Sequence, residues 1–314
     1  MCIRDRKSAA SVSHDGVAVE AACNLAAMQS AAFFESRIDR LIDIGSTFIS
    51  NNELKGAINE VRNQCSKVGD NWRKVRVWLE RNYPYSRFPG NCPMIPNHLI
   101  IIASFILGGD DFQKALKIAV SSGWDTDCNA GNLGALNGIR LGLQNIEKGP
   151  DFRGPVADRI YLVGADGGEC ITDSVIECRR VLRATASLMG KKYIEPKNRF
   201  SFEFVGSVQG FQNCPFHEGQ QSITKIENLN RSYSFNGLGI FFNSLAQGRK
   251  GSFSVQTFIE PKPKKESDTS YFEVIASPSL YSTQTINALL FGFEEINQSI
   301  SCLLYTSPSP RDRG

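Results

Sequence analysis

Apolar positions in the first part of the chain follow a helical repeat. They recur every three or four residues in three stripes, which are Val17, Ala21, Leu25, Met28 and Ala32; Ile38, Leu41, Ile42, Phe48 and Ile49; and Leu54, Ile58, Val61 and Cys65. Such spacing lines one face of an amphipathic helix, so each stripe is a predicted core face. After a Pro-rich loop from Pro84 to Pro96, further helices are predicted over residues 98–107, 111–121, 127–143 and 172–189. Thr172 is the predicted cap of the last helix.

The pattern changes after residue 192. Aromatic and apolar residues now alternate, in Phe200, Phe202 and Phe204, in Tyr233 and Phe235, and in Phe253 and Val255, with Gly-, Asn- and Pro-containing turns between them. Alternation with a period of two predicts β-strands. Most of the 20 Phe of the chain fall in this part, which indicates a separate aromatic core. The sequence therefore predicts a helical domain over residues 7–193 and a small β-sandwich over residues 194–301.

The two ends of the chain differ from both domains. Residues 1–6 and 302–314 share the tripeptide Arg-Asp-Arg and fit no helix or strand pattern. We interpret them as translated adapter remnants and exclude them from the fold. Genuine disordered tails are the alternative, which the Ser-Pro-Ser-Pro run also fits. Without both tails the formal net charge falls from +3 to +1, so the charge gives no reason to expect a nucleic-acid partner.

Composition narrows the possible classes of protein. With 314 residues and 41% hydrophobic composition, the chain can bury a substantial core. The longest apolar run, residues 99–107, is far shorter than the ~20 residues that cross a membrane, so no membrane partner is expected. Two of the nine Cys lie in the tails, and the others form no Cys-x-x-Cys pair, which favours a reducing, cytoplasmic compartment.

Candidate chemistry is concentrated in residues 123–131. Asp125 and Asp127 are two positions apart at the predicted start of a helix, where both carboxylates can face one point. Oxygen ligands in this arrangement suit Mg²⁺, Mn²⁺ or Ca²⁺. The alternative needs no metal, because Asp125 could cap the helix while Asp127 balances its dipole. A calcium-binding EF-hand loop is excluded, since Ala130 and Leu136 stand where that loop requires Gly and Glu.

Small residues continue through the helix that follows. Gly131, Ala135, Gly138 and Gly142 are spaced by four, three and four positions and so share one helix face. A Gly inside a helix costs up to ~1 kcal/mol relative to Ala. We therefore expect a neighbouring helix to pack closely against this face. The turn with Asp125 and Asp127 would then be attached to a buried, rigid helix.

These segments resemble the ADP-ribosylglycohydrolase family, whose members are similar to dinitrogenase reductase-activating glycohydrolase. The resemblance rests on residues 107–143 with the run Asp-Thr-Asp-Cys-Asn, and on residues 83–92, 95–98 and 154–159. It implies an all-α catalytic domain that binds two Mg²⁺ or Mn²⁺ ions between two clusters of ligands. Asp125 and Asp127 match two ligands of the second cluster. Residues 231–290 resemble the β-domain that follows the catalytic domain in some members, for which structural support is the expected role.

Two departures from the family pattern affect the expected activity. Cys128 stands where the family usually has a Thr ligand, and a neutral thiol is a poor ligand for Mg²⁺. Cys128 could bind Mn²⁺, leave its place to water, or pack as a small side chain. The first family cluster, Thr-Asp-Asp, is not found, since Asp110 and Asp111 fit a cap and a first-turn residue. We interpret the chain as N-terminally truncated, with no catalytic acid or base of its own.

Three further residues are candidate substrate contacts. His14 lies in a turn before the first predicted helix and resembles a family His that faces the ligand, although a surface His at a helix start is equally compatible. Asn97 could contact substrate, but its place before an apolar helix favours an N-cap. Trp124 directly precedes the acidic pair and is the third candidate.

The resemblance implies a divalent-metal-dependent glycohydrolase that cleaves a ribosyl glycosidic bond. The expected substrate is ADP-ribose attached to a protein or to a small-molecule acceptor. The alternative is a catalytically degenerate protein that binds a nucleotide sugar or glycan without cleaving it. Because part of the family site is not found, the chain by itself is expected to be inactive and poorly soluble.

Overall fold

The computed structural model describes residues 3–162, 169–213, 223–231, 235–242, 251–259, 276, 278–280 and 283–292. Internal contacts divide the chain into two compact units, Met1–Asp151 and Phe152–Gly314. In the described ranges, the first unit is helical, and the second combines small antiparallel sheets with one long helix. This division lies earlier in the chain than the change in sequence pattern near residue 193.

The described part of the first unit contains nine α-helices. They are α1 (Ile3–Ala10), α2 (Gly16–Ala31), α3 (Ile38–Ser46), α4 (Asn52–Val68), α5 (Trp72–Asn82), α6 (Met94–Gly108), α7 (Phe112–Ser121), α8 (Thr126–Leu141) and α9 (Leu143–Ile146). A 3₁₀ turn, Tyr85–Arg87, lies between α5 and α6. Residues 3–6, which the sequence places in an excluded tail, lie in α1. None of the helices in the described ranges is long and apolar enough to cross a membrane.

Helix α6 lies at the centre of this unit. It packs against α2, α3, α4, α5, α7 and α8. Leu99, Ile100, Ile102 and Phe105 are almost completely buried, as expected for a helix that is apolar on all sides. The helix begins four residues earlier than predicted, so Asn97 lies inside it and the predicted N-cap role is wrong. Pro96 is tolerated in the first turn because the N–H groups there need no intrahelical partner.

Helices α2, α3 and α4 carry the three predicted stripes, except that Phe48 and Ile49 lie beyond the end of α3 and Phe48 is 39% exposed. Leu41, Leu54, Ile58 and Val61 face the shared core and are at most 1% exposed. Helix α5 was not predicted. Its buried residues are Val75 and Leu79, too few to form a recognisable stripe among charged neighbours.

The small-residue face of α8 is not the packed face. Gly131 and Ala135 are exposed, and a Cβ added at Gly131 would meet nothing within 4 Å. The buried residues of α8 are Asn129, Leu133, Leu136 and Asn137. A close helix approach occurs instead between α6 and α7, where a Cβ added at Gly108 would lie 2.4 Å from the Cβ of Ala115. The prediction of a buried Gly/Ala face on α8 is therefore wrong.

The described residues of the second unit form helix α10 (Ser174–Leu188) and three two-stranded antiparallel sheets. The sheets pair β1 (Arg159–Tyr161) with β2 (Ile171–Asp173), β3 (Gln212–Asn213) with β6 (Phe253–Ser254), and β4 (Ile223–Asn228) with β5 (Leu238–Phe242). In the longest pair, Ile226 lies opposite Ile240. Within the described residues the sheets do not join into a sandwich, so the predicted β-sandwich stays a prediction.

Two local predictions in this unit are wrong. Residues 200–204 form no strand, because Phe202 has a φ of +51°, which interrupts an extended backbone. The cap of α10 is Asp173 and not Thr172, since its carboxylate accepts hydrogen bonds from the N–H groups of Val175 and Ile176. The expected aromatic packing is present, because the rings of Phe200 and Phe211 meet edge to face at 4.9 Å. Tyr233 lies outside the described residues.

Candidate functional site

The turn that joins α7 to α8 has an unusual backbone. Gly123 and Trp124 both adopt positive φ angles, +74° and +61°. Gly does so freely, whereas a residue with a Cβ pays roughly 1–2 kcal/mol. The turn places Asp125 at the N-cap position of α8, as one of the two interpretations predicted. Its carboxylate makes no capping hydrogen bond, so it is not engaged by the helix backbone.

The first turn of α8 brings three ligand-type atoms together. One carboxylate oxygen each from Asp125 and Asp127 and the Sγ of Cys128 all lie within 4.8 Å of one another. Metal–ligand bonds of about 2.0–2.3 Å place ligand atoms roughly 3–4.5 Å apart around one ion. Asp125 is half-buried, while Asp127 and Cys128 are exposed. The three atoms thus lie close to the spacing of ligands around one ion, and two of the side chains are open to solvent.

Hydrogen bonds and charges within the group change two pKa values. Hydrogen bonding with the Asp125 carboxyl and with the N–H groups of Asp127 and Cys128 lowers the pKa of Asp127. The hydrogen bond to Asp125, followed by burial and by the two negative charges, raises the pKa of the Cys128 thiol. The group thus combines an ionised Asp127 with a protonated thiol, and a cation among these atoms would favour the thiolate.

Asn97 on α6 holds the turn in place. Its Nδ2 donates to the Tyr85 hydroxyl oxygen at 2.7 Å and to the Pro93 carbonyl at 2.9 Å. Its Oδ1 accepts from the Asp125 N–H at 3.2 Å and from Asn129 Nδ2 at 3.0 Å. These bonds use both amide hydrogens and both lone pairs of the buried side chain. A substrate contact by Asn97 would require one of them to break.

Trp124 packs against other side chains of the same unit. Its ring stacks on Tyr85, with centroids 4.9 Å apart and planes 22° from parallel. The guanidinium of Arg76 lies 4.1 Å from the Trp124 ring centre, within cation–π range. Arg76 also donates from Nε to the Ser122 carbonyl and pairs with Glu80 at 2.6 Å. These contacts offset the cost of the positive φ angle at Trp124.

Comparison with known proteins identifies the family. The sequence model of the ADP-ribosylglycohydrolase family matches residues 3–185, more than half of the chain. The chain belongs to the ADP-ribosylglycohydrolase family. No curated protein and no solved structure matches it.

Members of this family are typically metal-dependent, and the matched region includes the whole first turn of α8. The donor set at that turn fits a divalent ion in its chemistry, because two carboxylates supply the oxygens that hard cations prefer. Among the residues that the structure describes, no second group of three His, Cys, Asp or Glu side chains comes this close.

His14 lies on the surface before α2. Its Nδ1 is 2.7 Å from the Ser13 hydroxyl oxygen. Among the described contacts, none joins His14 to the turn at residues 123–129. The substrate contact predicted for His14 stays a prediction, as does that for Trp124.

Sequence reasoning missed three residues that support the site in this family member, namely Arg76, Tyr85 and Asn129. Tyr85 and Asn129 both occur in segments that resemble the family, which was the available signal. Arg76 lies on α5, the helix that the apolar pattern did not reveal. All three act through contacts between residues distant in sequence, which spacing along the chain cannot show.

Proposed function

We propose that this member of the ADP-ribosylglycohydrolase family is a divalent-metal-dependent hydrolase of a ribosyl glycosidic bond. The expected substrate carries ADP-ribose on a protein or on a small-molecule acceptor. The observation that supports this most strongly is the convergence of Asp125, Asp127 and Cys128 at the first turn of α8. Family membership alone suggests ADP-ribosyl hydrolase activity and leaves the metal and the substrate open.

Asp125 and Asp127 would hold Mg²⁺ or Mn²⁺, the ions that the family resemblance implies. A divalent ion bound there would supply charge to bind the ribose hydroxyls and to orient or acidify a water molecule. In this assignment the two carboxylates are ligands and not an acid–base pair. The helix dipole gives the start of α8 a positive potential, which stabilises the carboxylates of Asp125 and Asp127 there.

Asn97 has a positioning role in this proposal. Because it bonds the Asp125 N–H, it fixes the backbone from which the first ligand extends. Tyr85 and Arg76 contact the ring of Trp124 and so fix the position of this residue, which directly precedes Asp125 in the turn. Trp124 and His14 remain the candidates for direct contact with substrate.

Binding is the first experiment because it requires no turnover. Isothermal titration calorimetry of the 314-residue chain with ADP-ribose should show binding that depends on Mg²⁺ or Mn²⁺. Asp125→Ala and Asp127→Ala should abolish it, because each removes a ligand. Asp39→Ala is the matched control, since Asp39 is an exposed acid in the first turn of α3. Metal-independent binding that both variants retain would refute the site.

A release assay on an ADP-ribosylated protein then separates hydrolysis from binding. Metal-dependent release of ADP-ribose that Asp125→Ala abolishes is the result expected of a hydrolase. The alternative, a degenerate binding protein for a nucleotide sugar or glycan, is favoured by one observation, the thiol of Cys128 among the ligand oxygens. Because the Thr-Asp-Asp cluster is not found in this chain, binding without release supports that alternative only if a version of the protein that carries the cluster also releases no ADP-ribose.

A further inference from the structure

Two cysteines that are far apart in sequence flank the hydrogen-bond network of Asn97. Its Nδ2 donates to the Pro93 carbonyl at 2.9 Å, and its Oδ1 accepts from Asn129 Nδ2 at 3.0 Å. Cys92 directly precedes Pro93, and Cys128 directly precedes Asn129. One buried amide therefore bonds to the two residues that follow these cysteines, which brings the segment before α6 to the first turn of α8.

Electrostatic interactions give the same placement of Cys92. The pKa of Tyr85 is raised first by burial, and that of Cys128 first by the hydrogen bond to Asp125. Charge on Cys92 contributes to both increases. Because salt screens exposed charges beyond about 10 Å, Cys92 lies near the Tyr85 hydroxyl and the Cys128 thiol at the same time.

Both thiols are accessible, and one of them is on an adaptable segment. Cys92 and Cys128 are exposed, whereas Cys23 and Cys65 are buried. Cys128 lies on α8, while Cys92 lies between the 3₁₀ turn and α6, in a described segment that is neither helix nor strand. Irregular backbone shifts more easily than a helix toward the Cα separation of about 4.4–6.8 Å that a disulfide requires.

We propose that Cys92 and Cys128 are a redox pair, which a peroxide closes into an intramolecular disulfide between the segment before α6 and the first turn of α8. The bond would attach that segment to the turn that carries Asp125 and Asp127. In a reducing compartment, which the cysteine pattern favours, disulfides are usually transient and redox-sensing. The inference goes beyond the proposed function, because it requires two thiols and an oxidant and no bound metal or substrate.

The oxidation balances with one molecule of hydrogen peroxide. The hydrogen bond to Asp125 and the nearby negative charges raise the pKa of the Cys128 thiol, so Cys92 is the thiol that reacts first. Its sulfur attacks the peroxide, the O–O bond breaks, and a sulfenic acid and one water form. The Cys128 sulfur then displaces the hydroxyl group as a second water while the S–S bond forms. Two electrons pass from sulfur to oxygen, and the two S–H protons end in the two waters.

The test is oxidation of the reduced 314-residue chain by hydrogen peroxide, followed by blocking of the remaining thiols and digestion with trypsin. Cleavage after Lys and Arg places Cys92 in residues 88–114 and Cys128 in residues 118–140, so the disulfide joins two separate peptides. Mass spectrometry should find this joined pair as the main cross-linked product, and dithiothreitol should separate it. Electrophoresis without a reductant should show that the oxidised chain stays a monomer.

Three variants and one solvent condition make the test specific. Cys92→Ser and Cys128→Ser should each lose the joined peptides. Cys178→Ser is the matched control, because Cys178 is another exposed thiol, on α10 of the second unit, and this variant should keep them. In concentrated urea the joined pair should no longer predominate, because the unfolded chain does not hold the two thiols together. Circular dichroism of each variant confirms that the helical content is unchanged.

The inference is overturned if the two peptides stay separate after peroxide treatment, if another cysteine pair predominates, or if the joined pair forms equally well in urea. Joined peptides that occur only in a disulfide-linked dimer would also overturn it. These readouts separate the inference from the proposed function. A chain that forms the disulfide and releases no ADP-ribose supports the inference and contradicts the hydrolase assignment, whereas metal-dependent release of ADP-ribose without the disulfide has the opposite meaning.

Discussion

At the scale of single residues, Asn97 shows how a buried amide can organise an exposed site. The sequence indicated its importance but predicted a cap, because Asn before an apolar run is typical of a helix start. The partners that define its role are Tyr85, Pro93, Asp125 and Asn129, which come from three separate segments. The positions of the two acids at a helix start could be predicted from local sequence, whereas this network could not.

Replacing Asn97 by Ala should destabilise the protein markedly. The change leaves buried polar groups of its neighbours without partners, at a cost of about 1–3 kcal/mol for an unsatisfied group. Urea denaturation measures the loss. Asn82→Ala is the control, since Asn82 makes one exposed bond to the Trp78 carbonyl and its loss should stay within about 0.5 kcal/mol. Equal effects of the two variants would contradict the role given to Asn97.

Buried His98 should make stability depend on pH. Complete burial lowers the pKa of His98 from 6.5 to about 4, and its Nε2 lies 3.1 Å from Asn24 Oδ1. Between these values the unfolded chain binds the proton more readily than the folded one, so stability falls as the pH falls through this window. The shift corresponds to at most about 3 kcal/mol.

The check is the free energy of unfolding between pH 7 and pH 4, measured for the unmodified chain and for His98→Gln. The variant should lose much of this slope. His14→Gln removes an exposed His and should leave the slope unchanged. An unchanged slope in His98→Gln would show that other groups cause the acid sensitivity.

At the scale of elements, α8 shows why the spacing of large apolar residues predicted buried helix faces, whereas the spacing of small residues did not. The stripes of α3 and α4 fall on helices that each have one buried face, whereas α2 is buried on several sides. Helix α8 offers two faces with helical spacing, one of small residues and one containing Leu133 and Leu136. Burial of the larger apolar side chains removes more surface from water, so the Leu face packs inward and the small residues face solvent.

This assignment predicts opposite effects for two Gly substitutions. Gly131→Ala should stabilise the protein by about 0.4–1 kcal/mol, because the added Cβ meets nothing and the unfolded chain loses freedom. Gly108→Ala should destabilise it by about 1–3 kcal/mol, because the Cβ would overlap Ala115. Thermal denaturation compares the two variants. If Gly131→Ala destabilised the protein, the small-residue face of α8 would be closely packed, as the sequence predicted, and this assignment would be wrong.

At the scale of the whole molecule, the order of helical and β-containing parts could be predicted from the change in periodicity. The sheets themselves could not, because the aromatic alternation at residues 200–204 lies on a backbone interrupted by the positive φ of Phe202. The division between compact units, after Asp151, also differs from the change in sequence pattern. The boundary between the units depends on which residues contact one another in space, and the sequence pattern does not show these contacts directly.

The central claim is that the first turn of α8 holds a divalent ion. Calorimetric titration of the chain with Mn²⁺ tests it most directly, beside the double variant Asp125→Asn and Asp127→Asn, which keeps the side-chain shapes and removes the charges. The unmodified chain should bind Mn²⁺ with a saturable heat signal, and the double variant, with the same circular dichroism, should show none. Equal Mn²⁺ binding by the two proteins would contradict the account.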